Sequence, residues 1–372
     1  MKTVLTILGT RPEAIKLAPV LHELARRRDV FRSKVCVTGQ HRELLEPMLE
    51  FFGIEPDYDL RVMRRNQPLA ALTARLLSAL DPVLAQLKPD WIVIQGDTTS
   101  VLAGALGAYY RGCRVAHVEA GLRTDNKYSP FPEELNRRVA SVLADAHFAP
   151  TARAVRNLRR EGIPGATICL SGNTVVDALH WAVQRVKRHP PAWPDDVPGL
   201  SKERRLILVT GHRRENFGAG LEQICRALRD IADELPDAEL VYPVHLNPNV
   251  RGPVRRLLGG HPRIHLARPV AYPVMVALLR RAWLVMTDSG GIQEEAPTFG
   301  VPCLVMRDTT ERPEGIRQGV AKLVGANRRH IVAAVRRLAQ DSRAYARMAT
   351  GGNPYGDGQA ARRIVDWLET GA

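Results

Sequence analysis

The sequence predicts an α/β protein built from two doubly wound units with parallel sheets. Three observations carry this. Short, almost continuously apolar segments alternate with amphipathic ones along the chain, as expected of strands buried on both faces between covering helices. The alternation breaks once, at the proline-rich HPPAWPDDVPG (189–199), and then restarts. The 372 residues also exceed what one ordinary core organises.

In the first unit the strands are VLTILG (4–9), KVCVTG (34–39), WIVIQGD (91–97), VAHVEAG (115–121), HFAP (147–150) and TICLSG (167–172). Between them the apolar residues take helical spacing, as in Glu13–Arg28, Leu69–Leu87 and Ser100–Arg111. After Asn173 one more helix runs to about Arg188. After the proline-rich loop come LILVTGH (206–212), LVYPVH (240–245), IHLARPV (264–270), WLVMTDSGG (283–291), PCLVMR (302–307) and AKLVG (321–325). A last helix, Gly358–Thr370, follows the turn NPYGDG and is expected to cross back to the first unit. The expected domains are thus 1–172 with 357–372, and 173–356.

Hydrophobic residues at 45% and charged residues at 25% give the balance of a soluble globular protein. No apolar run approaches the roughly 18 residues of a membrane span. The start MKTVLTILGTRPEAIK has too short an apolar stretch for a signal peptide and no small-residue cleavage site, so a first strand and a cytoplasmic location are expected. The five cysteines are scattered, with no CxxC pair and no accompanying His cluster, which supports neither a zinc site nor a disulfide framework. Lys and Arg exceed Asp and Glu by 53 to 39. The excess is spread over helix faces such as LARRR and AAVRRLAQ, without a basic tail or interleaved aromatics, so no nucleic-acid partner is expected.

Ligands of such sheets bind beyond the carboxyl ends of the strands, so chemistry is sought there. GTRPEAIK offers a tight turn at Gly9, a cap at Thr10, and the cations Arg11 and Lys16 at a helix N-terminus, an anion site in the making. The alternative is an ordinary capped helix. Asp97 in QGDTTS and Glu119 in HVEAGLRT end two further strands, with His117 and Arg123 nearby, and a loop then brings SPFPEELNRR with Glu133, Glu134, Arg137 and Arg138. Carboxylates so crowded repel unless cations or a shared proton compensate, which produces acid–base candidates. In the second unit VTGHRREN supplies His212, Arg213 and Glu215. TDSGGIQEEA supplies Ser289, Gly290 and Gly291, whose backbone N–H groups suit a phosphate, and Glu295, a carboxylate suited to ribose hydroxyls.

With these segments assembled, the chain resembles the non-hydrolysing UDP-N-acetylglucosamine 2-epimerases, relatives of the glycosyltransferases of GT-B architecture. GTRPEAIK, VTGQHRE, GDTTS, HVEAGLRT, SPFPEELNRR, GNTVVDAL, VTGHRREN, YPVHLNPNV, TDSGGIQEEAP, VMRDTTERPE and NPYGDG occur in order over essentially the whole length. The resemblance implies two Rossmann-like domains with the site in the cleft between them, and commonly a homodimer. It implies interconversion of UDP-GlcNAc and UDP-ManNAc through elimination of UDP to 2-acetamidoglucal and re-addition, with inversion at the acetamido-bearing carbon, and with no cofactor or metal. The family's acid–base carboxylates fall on Asp97, Glu119 and Glu133. Arg11, Lys16, Arg137 and His212 would stabilise the diphosphate and orient the sugar. Ser289, Gly290, Gly291 and Glu295 would hold phosphate and ribose, with Arg312 close to the nucleotide. Relatives activated by UDP-GlcNAc at a second site use segments like those holding Gln40, His41 and His245, with Arg65 a further candidate. Glu43 stands where some relatives carry Gln, and Met275 where some place an aromatic residue near uracil.

Two other activities share the architecture. A hydrolysing epimerase would release free N-acetylmannosamine, and a GT-B glycosyltransferase would need an acceptor groove rather than three carboxylates around one sugar carbon. Which carboxylate serves which face of the sugar is open at this level.

Overall fold

The computed structural model describes residues 1–40, 42–64, 67–197, 200–201 and 203–371. Its contacts divide the chain into two compact units, Met1–His180 with Tyr355–Ala372, and Trp181–Pro354.

In unit 1 the order is β1 (Lys2–Leu8), α1 (Arg11–Arg26), β2 (Phe31–Val37), α2 (Arg42–Phe52), β3 (Tyr58–Asp59), α3 (Leu69–Leu87) and β4 (Trp91–Gln95). Then follow α4 (Thr99–Tyr110), β5 (Arg114–Val118), α5 (Glu133–Leu143), β6 (Ala146–Ala149), α6 (Ala152–Arg160), β7 (Ile168–Leu170) and α7 (Thr174–Arg188), which runs on into unit 2. The sheet is parallel, in the order β3-β2-β1-β4-β5-β6-β7. The apolar runs explain its burial: every residue of β4 and β6 is buried. The helices cover it with stripes such as Leu72, Leu76, Leu80 and Leu84 of α3, one every turn. The two-residue edge strand β3 has no apolar run to announce it and exists through its pairing with Cys36 and Val37.

Unit 2 repeats the scheme with β8 (Arg205–Thr210), α8 (Ala219–Glu234), β9 (Ala238–Pro243), α9 (Pro248–Leu258), β10 (Ile264–Ala267), α10 (Tyr272–Arg281) and β11 (Leu284–Thr287). It continues with α11 (Gly290–Glu295), β12 (Cys303–Val305), α12 (Pro313–Gln318), β13 (Ala321–Leu323), α13 (Arg328–Gln340) and α14 (Ser342–Ala349). Its sheet order is β10-β9-β8-β11-β12-β13, again parallel.

The helix α15 (Ala360–Thr370) belongs to unit 1. Trp367 meets the Trp91 and Phe148 rings edge-on at 5.5 and 5.6 Å. Lys2 Nζ donates to the carbonyls of Leu368 and Glu369 at 3.0 and 2.8 Å, a cation on the helix C-terminus. No described helix is long and apolar enough to cross a membrane, and all five cysteines are free.

In each sheet the chain first winds one way and then the other. The reversal lies between β1 and β4 in unit 1 and between β8 and β11 in unit 2, where the loops leaving adjacent strands diverge and leave a crevice.

Candidate active-site residues

In unit 1 the loops leaving β1, β4 and β5 hold most of the candidates. Gly9 ends β1, and a Cβ there would stand 2.3 Å from Ser100 Oγ and 2.8 Å from Thr38 Oγ1, so only glycine fits. Thr10 caps α1, whose first residue is Arg11. Lys16, on the same helix, ion-pairs with Glu119. Gln95 Nε2 donates to the same carboxylate oxygen at 3.1 Å. Glu119 itself has φ +63°, the left-handed region, which costs a non-glycine residue about 1–3 kcal/mol and is retained where the surroundings enforce it. Gln40 is tied to the same crevice, its Oε1 accepting from Ser100 Oγ at 2.7 Å.

Asp97 follows β4 and is gripped by α5 from two directions. Arg137 Nη2 donates to its carboxylate at 2.5 Å, and Asn136 Nδ2 donates to its backbone carbonyl at 2.9 Å. The buried Glu134 organises the same turn by accepting from Arg138 Nε at 3.0 Å and Thr124 N at 3.1 Å, with Arg137 Nη1 3.5 Å away. Glu133 is the first residue of α5 and half-buried, and its side chain makes no hydrogen bond or ion pair among the described residues. The positive end of a helix favours a carboxylate there. The repulsion expected among the three carboxylates is therefore met by separate means: Arg137 for Asp97, Lys16 for Glu119, a helix terminus for Glu133.

Two neighbours prove structural. His117 is fully buried, and burial pushes its imidazole down to about 3, so the neutral ring donates from Nε2 to the Gly96 carbonyl at 2.7 Å. Arg123 is buried against Glu161, with Nη2 2.6 Å from its carboxylate and 3.1 Å from Ser141 Oγ.

In unit 2 a carboxylate that the motifs did not single out, Asp288, organises the crevice. It ends β11, is buried, and accepts from the backbone N–H groups of His212 and Arg213 at 2.9 Å and from Asn216 Nδ2 at 3.3 Å. The loop after β8 is thereby stapled to the loop after β11. The His212 ring lies 3.4 Å from Asp288 through Nδ1 and stacks on His245 at 5.6 Å and 19°. Partial burial lowers its basicity, aided by the nearby Arg213 charge and opposed by Asp288. Ser289, Gly290 and Gly291 open α11. A Cβ added to Gly290 would lie 3.9 Å from the guanidinium groups of both Arg213 and Arg312. Two cations thus flank the first turn of a helix, the composition of an anion site.

Arg312 is fixed from behind by an ion pair with buried Glu294. Its loop is pinned to α11, because Thr310 Oγ1 donates to Gln293 Oε1 at 2.6 Å and accepts from Arg312 N at 3.0 Å. Glu295, one residue on, is half-buried. Glu215 and Glu311 both hold the buried Arg307. Burial opposes ionisation of Glu311, yet the Arg307 bonds pull its carboxyl down to about 2. His41 and Arg65 lie outside the described residues. Among the described residues no group of three or more His, Cys, Asp or Glu is placed to hold a metal ion.

Asp288, Gln95 and Glu294 escaped the motif reading. A signal for Asp288 was available, since it directly precedes the SGG turn at a strand end, as Asp97 follows the turn after β4. Gln95 and Glu294 carry no local mark, because their partners Glu119 and Arg312 come from other segments.

A family model described as UDP-N-acetylglucosamine 2-epimerase matches residues 22–369. The chain is 51% identical over 369 residues to the UDP-N-acetylglucosamine 2-epimerase of Escherichia coli, covering 98% of each. It is similar to the crystal structure of UDP-GlcNAc 2-epimerase from Neisseria meningitidis bound to UDP-GlcNAc, with TM-score 0.91 and 44% identity over 99% of this chain and 100% of that one. The Methanocaldococcus jannaschii UDP-GlcNAc 2-epimerase, in complex with UDP-GlcNAc and UDP, matches with TM-score 0.80 and 32% identity over 99% of each chain. With the strand orders, the strand-end residues and matches that run the length of the molecule, the chain belongs to the UDP-N-acetylglucosamine 2-epimerase family.

Proposed function

We propose that the protein interconverts UDP-GlcNAc and UDP-ManNAc by eliminating UDP to 2-acetamidoglucal and adding it back with inversion at the acetamido-bearing carbon. The observation that carries this reading is the set of Asp97, Glu119 and Glu133 at the β4 and β5 ends and the start of α5, each in a different charge setting. A transferase moving a sugar to an acceptor has no need of three.

In the forward half-reaction a carboxylate takes the C2 proton while the bond from C1 to the diphosphate oxygen breaks, and the electron pair of the C–H bond becomes the C1–C2 double bond. The proton is weakly acidic, so its removal must accompany departure of UDP, when C1 has developed oxocarbenium character. UDP leaves as an anion, and fixed donors lower that barrier most. Arg213 and Arg312, with the N–H groups of Gly290 and Gly291, suit the diphosphate, and Arg11 and Lys16 are the corresponding cations of unit 1. In the return half-reaction UDP attacks C1 and a second acid delivers a proton to the other face of C2. Arg137 and His212 orient the reacting groups. Glu295 is the candidate for the ribose hydroxyls.

The test is incubation of the purified protein with UDP-GlcNAc in heavy water, without NAD or metal, followed by proton NMR. The expected product is UDP-ManNAc carrying deuterium at C2. Free N-acetylmannosamine with UDP would replace this reading by hydrolysis, and unchanged UDP-GlcNAc would point to a transferase awaiting an acceptor.

A further inference from the structure

Glu13 lies outside the acid–base set, yet it is a carboxylate only 2% exposed at the very reversal of the unit 1 sheet. One oxygen accepts from the backbone N–H groups of Gly9 and Thr10 at 2.7 and 2.6 Å. The other accepts from Thr98 Oγ1 at 2.6 Å, across 85 residues of sequence. A capping box requires only a bond back to the cap residue's own N–H. The bond to Thr98 is additional, and it joins the loop leaving β1 to the loop leaving β4. Thr98 in turn caps α4, accepting from Val101 N at 3.3 Å.

Arg11 opens α1 directly after the first loop and Asp97 lies in the second, each one residue from a group that Glu13 holds. The two loops are also pressed together independently of Glu13, since Gly9 has no room for a Cβ beside Ser100. Burial pushes the Glu13 carboxyl up to about 7 despite all its donors, so ionising it here costs stability. Resting on the epimerase reading above, we propose that Glu13 is a positioning residue that clasps the β1 and β4 loops through Thr98, holding the start of α1 at Arg11 and the turn that carries Asp97 in place for the reaction. It touches no substrate itself. Displacing a catalytic group by about 1 Å costs on the order of 100-fold in rate, so the effect of losing the clasp belongs in kcat.

The experiment uses the full-length protein with Thr98→Val, Thr98→Ser, Glu13→Ala and the double variant Thr98→Val/Glu13→Ala. Steady-state epimerisation is measured alongside thermal melting. Thr98→Val is expected to lower kcat about 100-fold with KM for UDP-GlcNAc within about twofold. Thr98→Ser, which keeps the hydroxyl, restores the rate. The double variant is no slower than Glu13→Ala, because both substitutions remove the same Thr98–Glu13 bond. Thr98→Val with lowered melting but wild-type kcat would reduce the clasp to a helix cap and overturn the inference, as would additive losses in the double variant. Should the unmodified protein itself fail to epimerise, the proposed function falls instead, and the wild-type control shows which has failed.

Discussion

At the scale of single residues, the three carboxylates are distinguished by what holds them. Asp97→Asn, Glu119→Gln and Glu133→Gln preserve shape and remove the base, so each is expected to bind UDP normally while losing about 10²–10⁴-fold in epimerisation. Full activity in any one of them, measured beside UDP affinity, would take that residue out of the mechanism. Glu13 makes a separate prediction for stability. Its folded value of about 7 lies above the ordinary 4.5, so the native state holds a proton that the unfolded chain has released between those values. Its favourable contribution is fully present below about pH 4.5 and lost by about pH 7, a change of roughly 3 kcal/mol. The melting temperature of Glu13→Gln, which cannot titrate, should therefore rise relative to the unmodified protein between pH 4.5 and 7 and run parallel above. A difference that does not vary with pH would mean that Glu13 is not buried as described.

At the scale of elements, the strands and helices were legible because their signals are local. Apolar runs mark β4 and β8, and spacing marks α3. Boundaries drift by a few residues, as where β2 begins at Phe31 ahead of the apolar KVCV. β3 was not legible, since YD is held only by a neighbouring strand. Site residues divide in the same way. Asp97 and Glu119 declare themselves by their place after a strand. The roles of Glu13 and Asp288 depend on partners 85 and 76 residues away and appear only in three dimensions. The packing of α15 rests on Trp367 between Trp91 and Phe148. Because Trp367 is partly exposed, Trp367→Ala should cost unit 1 about 3 kcal/mol, the low end for such a truncation.

At the scale of the molecule, each unit has its own apolar clusters around its own sheet. Scanning calorimetry is expected to resolve two transitions. UDP at about a hundredfold its Kd should raise the unit 2 transition by the equivalent of about 2.7 kcal/mol, and Trp367→Ala should lower the unit 1 transition. If UDP raised only the transition that Trp367→Ala lowers, the nucleotide assignment would have to move to unit 1.

The division of the chain also sets an order of events during synthesis. Unit 1 is interrupted: Met1–His180 is made, then the whole of Trp181–Pro354, and only afterwards the segment from Tyr355 that carries α15. At about 5–20 residues per second the ribosome spends roughly 10–35 s on the intervening stretch. Throughout that interval the seat of Trp367 on Trp91 and Phe148 waits uncovered on the nascent chain. Unit 2, being continuous, can fold as soon as it emerges. The later half of this protein is therefore free to reach its native form before the earlier half, and the complete but uncovered sheet of unit 1 is where a chaperone would be needed.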